Sequence, residues 1–287
     1  MKKLRLNFPQ WQGAGAEVVE QLVTELPLAQ SRRGYVLGAQ LLGFLSPQHQ
    51  GVVRAVPVSM DLNTPSENGI AAYQAVKSQL QAALDTIDEE QPDRIITLGG
   101  DCAVSIAPFT YLADKYADDT AIIWLDAHPD LGVPGDEYTG FHAMALAQTL
   151  GVGDKAISAM LPAHKIRPEH ALIVGLRYFG NLAEQCRQDW GIESVSCKEA
   201  NRSSTAVLQW LQKSGKSKVL IHFDLDVLDP NELKIAVGTD PDGMSIEAVV
   251  RTIQDIGRQA EIVGLTVAEP MPREVIKLQY LLNALPL

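Results

Sequence analysis

The chain has few cysteines, and the three that occur are not arranged in pairs. Cys102, Cys186 and Cys197 are the only ones among 287 residues, and none forms a CxxC motif. A small, odd number of cysteines is typical of proteins whose thiols stay reduced, so we expect a cytoplasmic protein. Cys186 and Cys197 are interpreted as structural residues, and Cys102 is considered below with its neighbours.

Basic residues and long apolar runs are also scarce. Lysine and arginine number 24 against 35 acidic residues, which gives a formal charge of -11. Nucleic-acid binding needs basic patches and is therefore not expected, whereas a cationic substrate is compatible with this charge. No run of eighteen apolar residues occurs, which argues against a membrane span. The opening stretch MKKLRLNFPQWQG lacks the continuous apolar segment of a signal peptide.

The chain does contain a regular alternation of apolar runs and amphipathic stretches. The predicted strands are LRLNF, VVRAVPV, RIITLGG, AIIWLDA, ALIVGL, KVLIHFDL and EIVGLTV. The clearest helical patterns between them are NGIAAYQAVKSQLQAALDTIDEE, SIAPFTYLADKYA, TAVLQWLQKSG and SIEAVVRTIQDIGRQA. This alternation predicts an α/β fold with three α/β/α layers around a mostly parallel central sheet. No repeat or linker interrupts it, so we expect residues 1–287 to form a single domain.

Acidic residues cluster where four of the predicted strands end. The clusters are Asp101 after IITLGG, Asp126, His128 and Asp130 after AIIWL, Asp224, Asp226 and Asp229 after VLIHF, and Glu269 after IVGLTVA. Because ligands of open parallel sheets bind at the carboxyl ends of the strands, these clusters predict one shared site. Single aspartates after strands are often helix caps or turn residues, which is the simpler interpretation of Asp101, Asp229 and Asp240 taken alone.

The spacing within the clusters predicts a metal site. Side chains two residues apart on an extended segment face the same side, so Asp126, His128 and Asp130 can converge on one point. Asp224 and Asp226 can do the same. Four carboxylates gathered with one imidazole would repel one another and be costly to desolvate. A pair of divalent cations, with manganese as the first candidate, would relieve that repulsion.

These motifs make the sequence similar to the ureohydrolase family, the arginase and agmatinase group. The family's GGDH, DAHxD and DxDxxDP motifs correspond to residues 99–102, 126–130 and 224–230, and the resemblance extends from Ile95 to Pro270. The resemblance implies an arginase/deacetylase-like α/β/α fold and two divalent metal ions. It also implies assembly as a homo-trimer or homo-hexamer and a small guanidino or amidino substrate.

The resemblance also implies roles for individual residues. The first metal ion would be held by Cys102, Asp126, Asp130 and Asp224. The second would be held by Asp126, His128, Asp224 and Asp226. His142 would carry protons at the mouth of the site, and Glu269 would pair with the substrate's guanidinium. Asp226 would hold the attacking water and pass its proton to the leaving amine, so that a C–N bond is hydrolysed to urea and an amine.

Cys102 departs from the family pattern, which has a histidine at this position. A thiolate ligand would favour softer ions such as zinc, cobalt, nickel or iron. A cysteine that does not ligate would weaken the first metal site, and a lost ligand would mark an inactive relative. Because the other ligand positions, His142 and Glu269 are intact, we predict an active metal-dependent hydrolase in which Cys102 binds the metal.

The loops that would bind the rest of the substrate depart as well. Gly132 stands where arginases have an asparagine that binds the α-carboxylate of the substrate. Tyr178 and Gly180 stand where arginases have acidic residues that bind the α-amino group. These differences predict a guanidino or amidino substrate other than L-arginine. Asp136 and Glu137 are candidate contacts for a cationic tail of that substrate.

Three alternatives use the same residues. A haloacid-dehalogenase-type phosphatase would use HFDLDVLD as its nucleophile motif, but that motif normally opens its domain and DAHxD would go unexplained. A single-metal amidohydrolase or deacetylase accounts less well for the paired DxD. A catalytically inactive, ureohydrolase-like binding subunit stays open because of Cys102, and fold-level likeness alone does not decide against it.

Overall fold

The structure is a computed structural model that describes the backbone of residues 1–287 and every side chain except those of Leu28 and Ala29. Its strands are β1 (Lys3–Phe8), β2 (Val52–Ala55), β3 (Arg94–Gly99), β4 (Thr120–Leu125), β5 (Ala171–Val174), β6 (Glu193–Val195), β7 (Lys218–Asp224) and β8 (Glu261–Ala268). Its α-helices are α1 (Ala16–Leu22), α2 (Leu28–Ser31), α3 (Gly34–Leu45), α4 (Tyr73–Glu90), α5 (Ile106–Tyr116), α6 (Ala145–Thr149), α7 (Lys155–Ser158), α8 (Asn181–Asp189), α9 (Cys197–Arg202), α10 (Thr205–Ser214), α11 (Ile246–Gln259) and α12 (Val275–Asn283). Short 3-10 turns cover Cys102–Ser105, Ala117–Asp119, Phe141–Met144, Pro168–His170 and Leu225–Val227.

All of these strands belong to one sheet, in the order β2-β1-β3-β8-β7-β4-β5-β6. Every pair of neighbours is parallel, which confirms the predicted α/β fold with a parallel sheet. The central four strands are β3, β8, β7 and β4. These are the strands that carry the acidic clusters, so their carboxyl ends place the clusters side by side at one edge of the sheet.

Helices cover both faces of the sheet, as the three-layer prediction requires. Successive side chains of a strand point to opposite faces. In β4, Ile122 and Trp124 pack in the core that includes α4 and α5. Ile123 and Leu125 pack in the core that includes α10 and α11 on the other face. The central strands are therefore buried on both sides, which is why they appear in the sequence as continuous apolar runs.

Most predicted elements are confirmed, and the differences have local causes. The strand predicted over VVRAVPV ends at Ala55, since Pro57 has no N–H for a sheet hydrogen bond. Strand β6 escapes prediction because it has only three residues and two of them are exposed. The predicted helices correspond to α4, α5, α10 and α11. In α11 the Ser245 hydroxyl caps the first turn by accepting a hydrogen bond from Ala248 N. Among the described residues no helix is long and apolar enough to cross a membrane.

The segment after β1 crosses over the carboxyl end of β3. Gly100 N donates to the carbonyl of Phe8, and Asp101 N donates to the carbonyl of Gln10, both at 2.9 Å. In return Gln10 Nε2 and Gly13 N donate to the Asp101 carboxylate at 3.0 and 2.8 Å. The backbone approach is so close that position 100 has no room for a side chain. The N-terminal segment is thereby fixed against the turn that carries Cys102.

This crossing predicts that Gly100→Ala is destabilising. A Cβ at position 100 would overlap the carbonyl oxygen of Gln10. We expect the free energy of unfolding to fall by about 1–3 kcal/mol, the usual cost of overpacking. Denaturant unfolding of the wild type and the variant provides the measurement.

Gly43→Ala in α3 is the matched control for this substitution. A Cβ at position 43 meets no atom within 4 Å. Alanine in a helix interior is more stable than glycine by about 0.5–1 kcal/mol, so this variant should unfold at the same or higher denaturant concentration. If both alanine variants were as stable as the wild type, the close crossing at Gly100 would be wrong.

Candidate metal centre

The carboxyl ends of the central strands bring the predicted metal ligands together. Asp126 follows β4 and Asp224 ends β7, with exposed fractions of 0% and 1%. Asp130 and Asp226 lie in the loops that follow these strands and are also buried. Cys102 is buried in the turn after β3. Four carboxyl groups and a thiol thus share one water-poor region.

Short turns at the strand ends orient these side chains. Asp101 caps the turn Cys102–Ser105 by accepting a backbone hydrogen bond at 3.1 Å. Asp224 caps the turn Leu225–Val227 in the same way, since its Oδ1 accepts from Asp226 N at 2.7 Å. Both oxygens of Asp101 are used by such contacts, which agrees with its interpretation as a cap. Asp224 Oδ2 instead points toward Cys102.

The turn after β3 aims Cys102 into the cluster, which the sequence could not decide. Its Sγ lies 2.9 Å from Asp224 Oδ2. A first group of donor atoms, all within 4.8 Å of one another, comprises Cys102, Asp126, Asp130 and His222. Asp224 is not part of this group but contacts its thiol. All four residues predicted for the first metal ion therefore lie together. The group also adds His222, which was not predicted.

A second group of donor atoms comprises Asp126, His128 and Asp226, within the same limit of 4.8 Å. His128 Nδ1 lies 2.9 Å from Asp226 Oδ2 and 3.5 Å from Asp126 Oδ1. Gly238 leaves room beside this pair, since a Cβ there would lie 2.9 Å from Asp226 Oδ2. Arg177 supports the loop by donating to the backbone carbonyl of Asp226 at 2.8 Å. Asp126 belongs to both groups and lies between them.

Glu269 connects the cluster to the predicted proton carrier, His142. Its Oε1 accepts from Cys102 N at 3.1 Å and lies 3.2 Å from His142 Nδ1. Its Oε2 accepts a hydrogen bond from the Tyr35 hydroxyl. His142 Nε2 lies 2.6 Å from the Tyr138 hydroxyl. A chain of polar groups therefore runs from the cluster through Glu269 to the half-buried His142.

Burial makes most of the clustered acids hard to ionise in the absence of a cation. Burial, followed by the charge of Asp226, raises the pKa of Asp126 to about 7. Burial and neighbouring carboxylates raise the pKa values of Asp130 and Asp224 well above their ordinary value. The pKa of the Cys102 thiol is raised in the same way. In a cation site, the acidic side chains lack counter-charge until the cation binds. The raised pKa values are therefore what such a site is expected to show.

Asp226 and His128 differ because they form an ion pair. Burial opposes the charge on both side chains, but their mutual attraction outweighs it. The pKa of Asp226 therefore falls to about 2, and that of His128 rises well above its ordinary value. Burial also opposes the charge on His142, and its contacts with Tyr138 and Glu269 outweigh that effect and raise its pKa.

The donor set fits divalent metal ions. The Oδ2 atom of Asp130 is buried and has no hydrogen-bond partner within the described structure. The ion pairs found in the cluster use only the imidazoles of His128 and His142. Carboxylate, imidazole and thiolate donors in this number suit a pair of divalent ions that share ligands. The first group, with Asp224, could hold one ion, and the second group, with Asp224, could hold the other.

The predicted substrate contacts in the loops are less closely tied to the cluster. Asp136 Oδ2 accepts from Val133 N at 2.9 Å and so closes its own loop, while Glu137 is exposed. No hydrogen bond among the described side chains joins either acid to the cluster, and their role in substrate binding stays a prediction. Tyr178 does reach the site, since its ring centroid lies 5.3 Å from that of His128.

Sequence reasoning missed His222, Tyr35 and Gly238. His222 precedes Asp224 by two residues in β7 and therefore faces the same side of the sheet, which is a signal that the sequence contains. Tyr35 and Gly238 reach the site from α3 and from the loop before α11. Tyr35 lies 234 residues from Glu269, and Gly238 lies outside the motif that contains Asp226, so no local pattern points to either.

The raised pKa values predict an unusual pH dependence for the metal-free protein. Between the ordinary value of 3.8 and the folded value of about 7, Asp126 binds more protons in the folded state than in the unfolded state. The stability that this contributes is present below pH 3.8 and is lost as the pH rises through 7. The raised pKa values of His128 and His142 act in the same direction above pH 6.5. The contribution of Asp226 is complete above pH 3.8 and stays constant in this range.

We therefore expect the thermal midpoint of chelator-treated protein to fall as the pH is raised from about 5 to about 8. Added Mn²⁺ should restore the midpoint most strongly at the upper end of this range, because it binds the folded state and supplies the missing counter-charge. Thermal scans with and without metal across the range provide the measurement. A metal-free midpoint that rose with pH would contradict the clustering of buried acids.

The chain resembles arginases in both sequence and structure. Residues 37–277 match the model of the arginase family. The arginase of Entamoeba histolytica is 27% identical over an alignment of 250 positions, which covers 81% of this chain and 82% of that protein. The crystal structure of arginase from Bacillus cereus superposes with a TM-score of 0.79 at 21% identity, covering 99% of this chain and 98% of that one. Formimidoylglutamase from Bacillus subtilis gives a TM-score of 0.65 at 14% identity, covering 100% and 89%.

The two structural likenesses show that the fold is shared, and the family match shows more. It includes the strand ends that carry Cys102, Asp126, Asp224 and Glu269. The chain belongs to the arginase family, a family of hydrolases.

Proposed function

We propose that the protein is a binuclear-metal hydrolase of a guanidino or amidino C–N bond, which releases urea or a related amide and an amine. The observation that carries this proposal is the pair of donor groups that share Asp126, in which every residue except the partly exposed His128 is buried. A carboxylate shared by the two groups would suit a pair of metal ions that act on one water molecule. Membership of the arginase family supports the same class of reaction.

Asp226 is the residue proposed to hold the attacking water. When bound, the two metal ions would lower the pKa of that water and polarise the substrate. Asp226 Oδ2 borders the space beside Gly238, and the positive charge of bound metal ions would keep this carboxylate ionised. It can therefore accept a hydrogen bond from the water and fix its orientation. Proton transfer from the water to the leaving amine would pass through the same carboxylate.

Glu269 and His142 are proposed to align the substrate and to move protons. Glu269 Oε2 accepts from the Tyr35 hydroxyl and keeps a lone pair for a guanidinium, whereas Oε1 is engaged by Cys102 N and His142. His142 contacts Glu269 on one side, and its side chain is 22% exposed. It can therefore exchange protons between the site and solvent.

The proposed substrate is a guanidino or amidino compound other than L-arginine, although several relatives are named arginase. Gly132 and Gly180 offer no side chain to bind an amino-acid head group. Tyr178 presents an aromatic ring beside His128 and is 60% exposed. This ring offers an apolar contact surface, and position 178 has no carboxylate to bind an α-amino group. Asp136 and Glu137 remain candidates for contacts with a more distant cationic group.

The proposed cofactors are two divalent ions, with Mn²⁺ first and with Zn²⁺, Co²⁺, Ni²⁺ or Fe²⁺ as alternatives favoured by a Cys102 ligand. A homo-trimer or homo-hexamer in the cytoplasm completes the proposal. The second candidate is a catalytically inactive binding subunit or a single-metal amidohydrolase. The contact that favours it is the hydrogen bond from the Cys102 thiol to Asp224, in which the thiol keeps its proton.

Metal content separates the two candidates. We expect about two ions per chain by elemental analysis of protein purified without chelator, because two donor groups share Asp126. The same preparation should release urea or an amide from at least one member of a panel of guanidino and amidino compounds, and more slowly from L-arginine. A content of one ion or none after incubation with manganese, nickel, zinc and cobalt would favour the second candidate.

Asp126→Asn tests the shared ligand. We expect this variant to bind less metal and to turn over the best panel substrate more than about 100-fold more slowly. Loss of a residue that only supports a metal ligand already lowers metal affinity or activity by about 10–100-fold, and Asp126 would itself be a ligand. Asp229→Asn is the matched control, because Asp229 caps a neighbouring turn through Asn231 N at 2.8 Å and touches neither donor group. Equal turnover in both variants would argue against a metal-assisted reaction at this site.

A further inference from the structure

His222 is a fully buried histidine with one ring nitrogen that lacks a partner. It lies in β7 within the apolar run VLIHF. Its ring stacks on Trp124, with centroids 3.7 Å apart and an angle of 10° between the planes. Nδ1 lies 2.7 Å from Ser105 Oγ, but Nε2 is buried and forms no hydrogen bond within the described structure. A buried polar atom without a partner is costly, so this nitrogen requires an explanation.

Neither tautomer of His222 satisfies Nε2. If Nδ1–H donates to Ser105, the lone pair of Nε2 has no donor. If Ser105 donates to Nδ1, the Nε2–H group has no acceptor. A neutral imidazole whose other nitrogen is held by a polar group is the form in which histidine ordinarily binds metal ions.

The geometry of β7 directs His222 toward the first group of donor atoms. One of its ring nitrogens lies within 4.8 Å of Cys102 Sγ and of carboxylate oxygens of Asp126 and Asp130. Since Nδ1 is already engaged by Ser105, Nε2 is the nitrogen available to that group. Asp130 also has a buried oxygen without a partner. A single cation bound among these residues would satisfy both the unpaired nitrogen and the unpaired carboxylate oxygen.

We propose that Nε2 of His222 is a ligand of the metal ion held by the first group, together with Cys102, Asp126 and Asp130. This inference rests on the proposed function, because it requires a metal ion at that position. The imidazole would come from the middle of the sheet, whereas the family pattern places a histidine in the turn after β3. One sulfur and one nitrogen donor beside the carboxylates of Asp126, Asp130 and Asp224 favour Zn²⁺ or Co²⁺ over Mn²⁺ at this position.

Three variants of the full-length chain test the proposal. His222→Phe keeps an aromatic ring against Trp124 and removes both nitrogens. Ser105→Ala removes only the hydroxyl group that contacts Nδ1. Thr266→Val is the matched control, since Thr266 is the register partner of His222 on β8 and its hydroxyl is also buried without a partner. For each protein, Zn²⁺ and Co²⁺ affinities are measured by chelator competition, and the visible absorption spectrum of the Co²⁺ form is recorded.

We expect the wild type and Thr266→Val to bind two ions per chain with equal affinities. Ser105→Ala should lower the affinity for one of the two ions by about 10–100-fold, which is the usual cost of losing the hydrogen bond that orients a metal-binding side chain. His222→Phe should lower the affinity for the same ion by more than about 100-fold and change the visible spectrum of the Co²⁺ form. A decrease in affinity of about 100-fold or less in His222→Phe would overturn the proposal that His222 is a ligand. If the wild type nevertheless bound two ions, the proposed function would stand. Fewer than two ions in the wild type would overturn both.

A second measurement on the wild type does not depend on the folding of a variant. The protein is labelled at its histidine nitrogens and loaded with an NMR-active cadmium isotope, which accepts the same donor types as zinc. A scalar coupling between cadmium and Nε2 of His222 is the expected result, because such a coupling requires a bond between the two nuclei. Cadmium-loaded protein without this coupling would contradict the proposal even if two ions were bound.

Discussion

Negative charge buried at the carboxyl edge of β3, β8, β7 and β4 is the constraint on which the rest of the structure depends. These strands are buried along almost their whole length, and ionised carboxylates at their ends lose most of their hydration. The raised pKa of Asp126 expresses that cost directly. The chain offsets part of it with the ion pair between His128 and Asp226. The remaining charge needs cations from outside the protein, which is the physical reason for treating this edge as a metal centre.

Backbone N–H groups hold the acids in place before any cation binds. The turns after the strands supply these donors: His128 N to Asp126, Asp226 N to Asp224 and Ala127 N to Asp226, at 2.6, 2.7 and 3.1 Å. Each bond engages one oxygen and fixes the direction of the other. The parallel sheet brings the turns to one edge, and the turns orient the carboxylates within it. Such preorganisation is possible because the donors belong to a rigid framework and do not have to be ordered on binding.

The fold and most of the candidate site could be predicted from the sequence because both depend on local patterns. Apolar runs identify the central strands, and acids two residues apart at their ends share a face. What escaped prediction depends on contacts between distant segments. The direction of Cys102 is set by the turn that Asp101 caps, and that turn is fixed in part by the segment around Gly13, far away in sequence. Tyr35 meets Glu269 across more than two hundred residues, so no pattern near either one indicates the contact.

The chemistry of His222 suits this particular edge better than another acid would. Each carboxylate added to the cluster increases the repulsion that already raises the pKa values of Asp130 and Asp224. A thiolate at Cys102 would also add negative charge. A neutral imidazole adds a donor atom without adding charge, and its stacking on Trp124 positions the ring at little cost in conformational entropy. The family pattern has a neutral histidine donor in the turn after β3. A histidine in β7 would keep the number of neutral donors while the turn carries a cysteine. The balance between donor number and buried charge can thus be preserved although the residue that provides the donor has changed its place in the fold.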